Sequence, residues 1–174
     1  MLKQVGIAPD HVLPAAIDER VRDRELPEVY AARLAGQKAL HPQAPPGSLV
    51  LAADTVVACG RRILPKATGD DDVRSCLRLL RGRRHRVITA AALAEDGRLI
   101  ARRTVRTRVS FRNLTEGEID SYVRSGEGFG KAGGYAIQGR AEAFVKSING
   151  SYSNVVGLPL AETLMLLRAH GFPC

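Results

Sequence analysis

Arg86-Val-Ile-Thr-Ala-Ala-Ala-Leu-Ala94, Glu95-Asp-Gly-Arg98 and Leu99-Ile-Ala-Arg-Arg-Thr-Val-Arg-Thr-Arg-Val-Ser-Phe111 decide the fold. Two apolar, β-branched runs flank Asp-Gly, which supplies the positive φ angles of a tight turn, so they predict a long antiparallel hairpin. Working outward, Ser48–Ala53 reads as a short buried strand that Val56–Cys59 can continue, and Gly60-Arg61 turns it into Arg62–Leu64. Val29, Ala32, Leu34 and Ala35 make an apolar stripe from Leu26 to Leu40, with Pro27 suited to a first helical turn. Asp70-Asp-Asp72 precedes Val73, Cys76, Leu77 and Leu80, acids at a helix N-terminus followed by one apolar face. Thr115 and Glu118 have capping-box spacing for a helix to about Ser125. His41–Gly47 and the glycine-rich Gly126–Gly139 read as loops, Ala143–Ile148 as a strand, and Pro159–His170 as a closing helix. The alternation gives an α/β fold with a mixed central sheet flanked by helices.

The chain's 174 residues, 45% of them hydrophobic, suit a single domain over 1–174. Its net charge of +8 favours an anionic partner. The arginines are scattered, however, and Arg102, Arg103, Arg106 and Arg108 read as a solvated sheet face. With aromatics at only 5%, a nucleic-acid surface is disfavoured, because stacking platforms need rings. Three cysteines without C-x-x-C spacing, and no signal-like start, point to a reducing cytoplasm. No apolar stretch approaches the roughly 20 residues of a membrane span. Gly128-Phe-Gly130-Lys-Ala-Gly133 fits G-x-G-x-x-G, but a helix precedes it and more glycine follows, which excludes a dinucleotide fold.

The chemistry-bearing residues are few. Asp54 follows an apolar run, where it either faces a cleft at the sheet's carboxyl edge or caps a turn. Lys66 and Lys131 lie in loop-like segments with proline or glycine nearby, placed either to meet phosphate as point charges or simply in solvent. Lys38 sits late on the first helix, and Glu19 follows the strand-like Ala16-Ile17-Asp18. In Lys131-Ala-Gly-Gly-Tyr-Ala-Ile-Gln-Gly139, paired glycines let backbone approach a flat polyanion and Gln138 offers an amide to a base edge. Lysines for phosphate, a carboxylate for metal or water and an amide for a base point to a nucleotide enzyme.

Ala53-Asp-Thr-Val-Val57, Lys131–Gly139 and Gly150-Ser-Tyr-Ser-Asn-Val-Val-Gly-Leu-Pro159, in that order, resemble the Maf family of nucleoside triphosphate pyrophosphatases. Ala16-Ile-Asp-Glu19, Leu34-Ala-Gly-Gln-Lys38, Leu80-Arg-Gly-Arg-Arg-His85 and Val109-Ser-Phe-Arg112 support the resemblance over essentially the whole chain. It implies a fold related to inosine-triphosphate pyrophosphatases and hydrolysis between the α and β phosphates, yielding monophosphate and pyrophosphate. By the same resemblance, Asp54 matches the general base, and Asp54 with Glu19 would meet a divalent cation, usually Mg2+. Glu19, Lys38, Lys66 and Lys131 match polar residues of the cleft, and Thr55 and Gln138 match positions associated with base choice. The Asp-Thr pair and the Gly-Tyr-Ala-Ile-Gln run resemble the branch acting on dTTP and UTP. A homodimer is implied on the same ground.

The sequence also departs from that pattern. It begins at Met1-Leu-Lys-Gln-Val-Gly-Ile7, matching the stretch after the family's opening strand and Ser-x-Ser-Pro-Arg-Arg segment, whose arginines are expected to touch phosphate. Ala67 stands where proline is usual, Pro65 replaces the usual residue before Lys66, and Gly130 stands where an acid is frequent. These departures lead to an expectation of reduced activity. The alternative function is an inactive or weakly active nucleotide-binding or cell-division regulatory protein.

Overall fold

The computed structural model describes residues 1–41 and 44–173. Part of the predicted loop at 41–47 (Pro42 and Gln43) lies outside the described residues, as does Cys174. A short 3-10 turn at Leu2–Val5 leads into a long segment without regular structure. Then come α1 (Pro27–Leu40), β1 (Leu49–Cys59), β2 (Arg62–Leu64), α2 (Asp70–Leu80), β3 (Arg84–Glu95), β4 (Arg98–Phe111) and α3 (Glu116–Arg124). A 3-10 turn at Arg140–Phe144, β5 (Val145–Asn149), α4 (Tyr152–Val156) and α5 (Leu160–Ala169) complete the chain.

The α/β architecture matches the sequence reading, with one refinement. The five strands run β2-β1-β3-β4-β5, and every pairing between them is antiparallel rather than mixed. Tight turns at 60–61 and 96–97 pair β1 with β2 and β3 with β4 directly, whereas β3 returns to β1 after α2 and β5 returns to β4 after α3. The β3–β4 turn has positive φ at both Asp96 (46°) and Gly97 (73°), the geometry Asp-Gly favours because it follows the strands' twist. The capping box forms at Thr115 and Glu118.

Because strand side chains alternate, the sheet has two differently filled faces. Val56, Ala58, Ile88, Ala90 and Ala92 meet Ala31, Ala35 and Ala39 of α1, where small residues let the helix lie close. On the other face Val57, Val87, Val109 and Phe111 join Leu77 and Leu80 of α2, Tyr122 of α3 and Tyr135 in the main core. The expected arginine face is only partly free: Arg86 and Arg106 reach Glu28 of α1 at 3.0 and 3.2 Å. Asp54 and Thr55, consecutive on β1, therefore point to opposite faces.

β1 is long, but β2 pairs only with its last residues, Val57–Cys59. Among the described residues, no strand pairs with that edge of β1 from Leu49 to Val56. A cavity of about 790 Å³ runs beside Leu49–Ala53, and two smaller ones of about 290 and 260 Å³ lie where this edge meets β2.

Candidate active site

Asp54 does not end its strand and caps no turn. It lies mid-strand, paired opposite Ala90, and the cleft runs along β1's side edge rather than at the sheet's carboxyl end. A charged residue is tolerable there because Lys38, near the end of α1, reaches it from the same face at 2.5 Å. The same ammonium meets Glu19 at 2.7 Å, and Glu19's other oxygen takes Lys66 at 2.5 Å. The four side chains alternate in charge: Asp54, Lys38, Glu19, Lys66.

Burial governs their titration differently. Asp54 is 4% exposed, and desolvation pushes its carboxyl above the ordinary range against the opposing pull of Lys38. Burial also works against the charge on Lys38, but hydrogen bonds to Asp54 and Glu19 leave its pKa raised. Glu19 pays less desolvation, and the two lysines hold it below the usual carboxylate range.

Glu19 was expected just after a strand, yet Ala8–Leu26 forms no strand. The segment is instead tied to α1. Tyr30 donates its hydroxyl to the Glu19 carbonyl at 2.6 Å, and Arg33 donates to the Arg20 carbonyl at 3.0 Å. Arg33 also grips Glu25 with two guanidinium nitrogens at 2.7 and 2.8 Å. Sequence reading did not single out these anchors, because such contacts leave no periodic pattern.

Lys66 and Lys131 come together through backbone. Ala67 N–H donates to the Lys131 carbonyl (3.1 Å), Gly130 N–H to the Ala67 carbonyl (2.8 Å) and Gly133 N–H to the Pro65 carbonyl (3.1 Å). A proline at position 67 would lack the first of these donors, so the alanine there adds a bond. Gly133 has φ 67°, and a Cβ there would stand 2.8 Å from Val57, which explains the need for glycine beside Lys131.

Lys38, Asp54, Thr55, Lys66, Lys131 and Gln138 all line the 260 Å³ cavity, with Tyr135, Val155 and Val156 as its apolar wall. Glu19 lies outside it, in the neighbouring 290 Å³ cavity that shares Asp54, Thr55 and Lys66. Among the described residues no group of three or more metal-binding side chains converges. Asp54 and Glu19 nevertheless turn oxygens toward one cationic centre, and Mg2+ commonly takes only one or two carboxylates, with phosphate and water completing its shell. The donor pair fits a cation that arrives with its substrate.

An α/β protein with lysines and carboxylates gathered at a strand edge belongs, in general terms, among enzymes handling polyanions. The comparisons narrow that class. Residues 1–170 match the Maf family, described as Maf-like protein, and the chain belongs to it. It is 56% identical to the dTTP/UTP pyrophosphatase of Paramagnetospirillum magneticum over 174 residues, covering 99% of this chain and 91% of the relative. It is 55% identical to the protein of the same name in Caulobacter vibrioides, covering 99% and 90%. For the one in Bradyrhizobium diazoefficiens the identity is 51%, covering 99% and 86%.

Proposed function

We propose that this chain is a nucleoside triphosphate pyrophosphatase, hydrolysing dTTP, UTP or modified nucleotides between the α and β phosphates to monophosphate and pyrophosphate. The observation that carries the reading is the meeting of three lysines with a buried aspartate in one cleft of a Maf-family chain. The names of its relatives favour dTTP and UTP.

A triphosphate repels an incoming nucleophile by its own charge, so positioning and neutralisation are the main catalytic tasks. Lys66 and Lys131, both exposed, act as mobile point charges on the phosphates. Asp54 accepts the proton of the attacking water. An ordinary aspartate, with a pKa near 3.9, is a weak base, and burial strengthens this one. Lys38 keeps Asp54 ionised while binding Glu19, so the two acids stay oriented before substrate enters. Mg2+ bound by Asp54 and Glu19 would neutralise phosphate charge and lower the pKa of bound water. Thr55 and Gln138 face the base.

We place the protein in the cytoplasm, consistent with free thiols at Cys59 and Cys76, and expect a homodimer. No helix among the described residues is long and apolar enough to cross a membrane. A triphosphate panel with Mg2+ tests the reading: UTP and dTTP should give equal amounts of monophosphate and pyrophosphate. Orthophosphate as the product, or nucleotide binding without any turnover, would overturn it, the latter in favour of a binding protein.

A further inference from the structure

The stretch Gly150–Pro159 contributes Val155 and Val156 to the cavity wall, whereas its buried Asn154 is not among the lining residues. Asn154 is fully buried and bound on several sides. Its side-chain amide donates to the Val87 carbonyl (3.1 Å) and to Thr107 Oγ1 (3.0 Å), and its backbone N–H donates to Ser151 Oγ (3.2 Å). Thr107 in turn donates to the Ser151 carbonyl at 3.1 Å. Gly150 fits closely over this point, since a Cβ there would stand 2.8 Å from Thr107 Oγ1. These bonds fix α4, too short to hold itself, onto β3 and β4.

Proton counting then extends the chain of bonds into the cleft. Thr89, completely buried, has one hydroxyl proton, and it goes to the backbone carbonyl of Asn154 at 2.9 Å. Thr55 Oγ1 lies 2.9 Å from Thr89 Oγ1, so in that contact Thr89 can only accept. A 2.9 Å contact between two hydroxyl oxygens needs a proton between them, which leaves Thr55 as its donor, with the Gly157 carbonyl a longer second acceptor at 3.4 Å. Its only proton is thus spent inside the protein. What remains for a ligand is a pair of acceptor sites.

We infer that Thr89 and Asn154 are positioning residues that make Thr55 an acceptor-only reader of the base, selecting a ring that presents N–H. This deepens the nucleotide reading of the cleft and rests on it. Uracil and thymine carry one donor on their imide edge, the ring N3–H, flanked by carbonyls. Cytosine seated in the same place turns a nitrogen lone pair toward the Thr55 lone pairs, leaving both unpaired.

The test is equilibrium binding of UMP and CMP by calorimetry, with no turnover required, alongside thermal melting of each variant. The unaltered chain should prefer UMP by about tenfold, the scale of one uncompensated hydrogen bond. Thr89→Val removes the 2.9 Å acceptor and leaves the Thr55 proton only the long 3.4 Å contact to the Gly157 carbonyl, which a ligand can outcompete, so the preference should fall to within roughly twofold, whereas Thr89→Ser, which keeps the hydroxyl, should retain it. Thr55→Val, at a half-buried position, gives the second arm and should also erase the preference. A preference surviving Thr89→Val or Thr55→Val, or lost in Thr89→Ser without a lower melting temperature, would overturn the inference. No preference in the unaltered chain would do the same. If neither nucleotide binds the unaltered chain, the nucleotide reading itself fails and the inference goes with it.

Discussion

The two faces of β1 at Asp54 and Thr55 differ in kind. On the α1 side, Asp54, Lys38, Glu19 and Lys66 form a chain of full charges, two of them well shielded from water. On the α4 side, Thr55, Thr89, Asn154 and Thr107 form a chain of neutral hydroxyls and amides with fixed donor directions. Charges act over distance and tolerate a mobile triphosphate, while neutral hydrogen bonds act only in contact and only in the right sense. Strand alternation separates the two jobs while keeping them one residue apart. Phosphate chemistry and base choice can therefore be altered independently.

Removing the charge from Asp54 should have the largest effect. Asp54→Asn is expected to lower kcat by about a thousandfold for every base, measured as pyrophosphate release. In stability the same change has two opposed effects, removing a buried charge and taking one of the two carboxylate partners of Lys38. Asp54's pKa is raised in the folded protein, so its contribution to stability is fully present below the ordinary aspartate range and lost as pH rises through the folded value. The melting temperature of the asparagine variant relative to wild type should therefore rise as pH is raised from acid to neutral.

A smaller effect is expected from Lys38→Met, on the order of a hundredfold in kcat/KM. Here the pH profile is the sharper readout. Lys38 opposes the upward push of burial on Asp54, so its loss should move the acidic limb of kcat/KM to higher pH. An unmoved limb would mean that Asp54 does not set it.

Arg33→Met leaves the cleft untouched but unclamps the segment that carries Glu19. The Arg33 and Glu25 side chains are only 13% and 5% exposed, so the variant should melt roughly 5 °C lower with a higher KM. Arg33's hydrogen bonds hold Glu25 below the usual glutamate range. That stability is present above the ordinary glutamate pKa and lost as pH falls through the depressed one, so the melting difference should close in acid.

The long hairpin, the capping box and the first helix were legible because each depends on local chemistry: Asp-Gly at a turn, Thr115 with Glu118, Pro27 at a first turn. Asp54 reads as a strand end because an acid after an apolar run normally marks one, but the continuation through Val56–Cys59 is the reading that β1 bears out. Lys38, sixteen residues away in the chain, makes a mid-strand carboxylate tolerable here. Glu19 sits on irregular chain held by Tyr30 and Arg33, and nothing periodic announces such an anchor. The α4 helix has no counterpart in the sequence reading, because five residues are too few to show a helical period and its stability comes from buried bonds to β3 and β4. The gathered cleft residues were named from resemblance and spacing together, but their division between two faces required the register of β1.

The separation of the two faces is tested most directly by kcat/KM for UTP and CTP, measured side by side in Lys66→Met and Thr55→Val. Lys66→Met should lower both nucleotides by the same factor, leaving their ratio within about twofold of wild type, while Thr55→Val should collapse the ratio and spare kcat for UTP. A changed ratio in Lys66→Met, or equal losses for both nucleotides in Thr55→Val, would contradict the account.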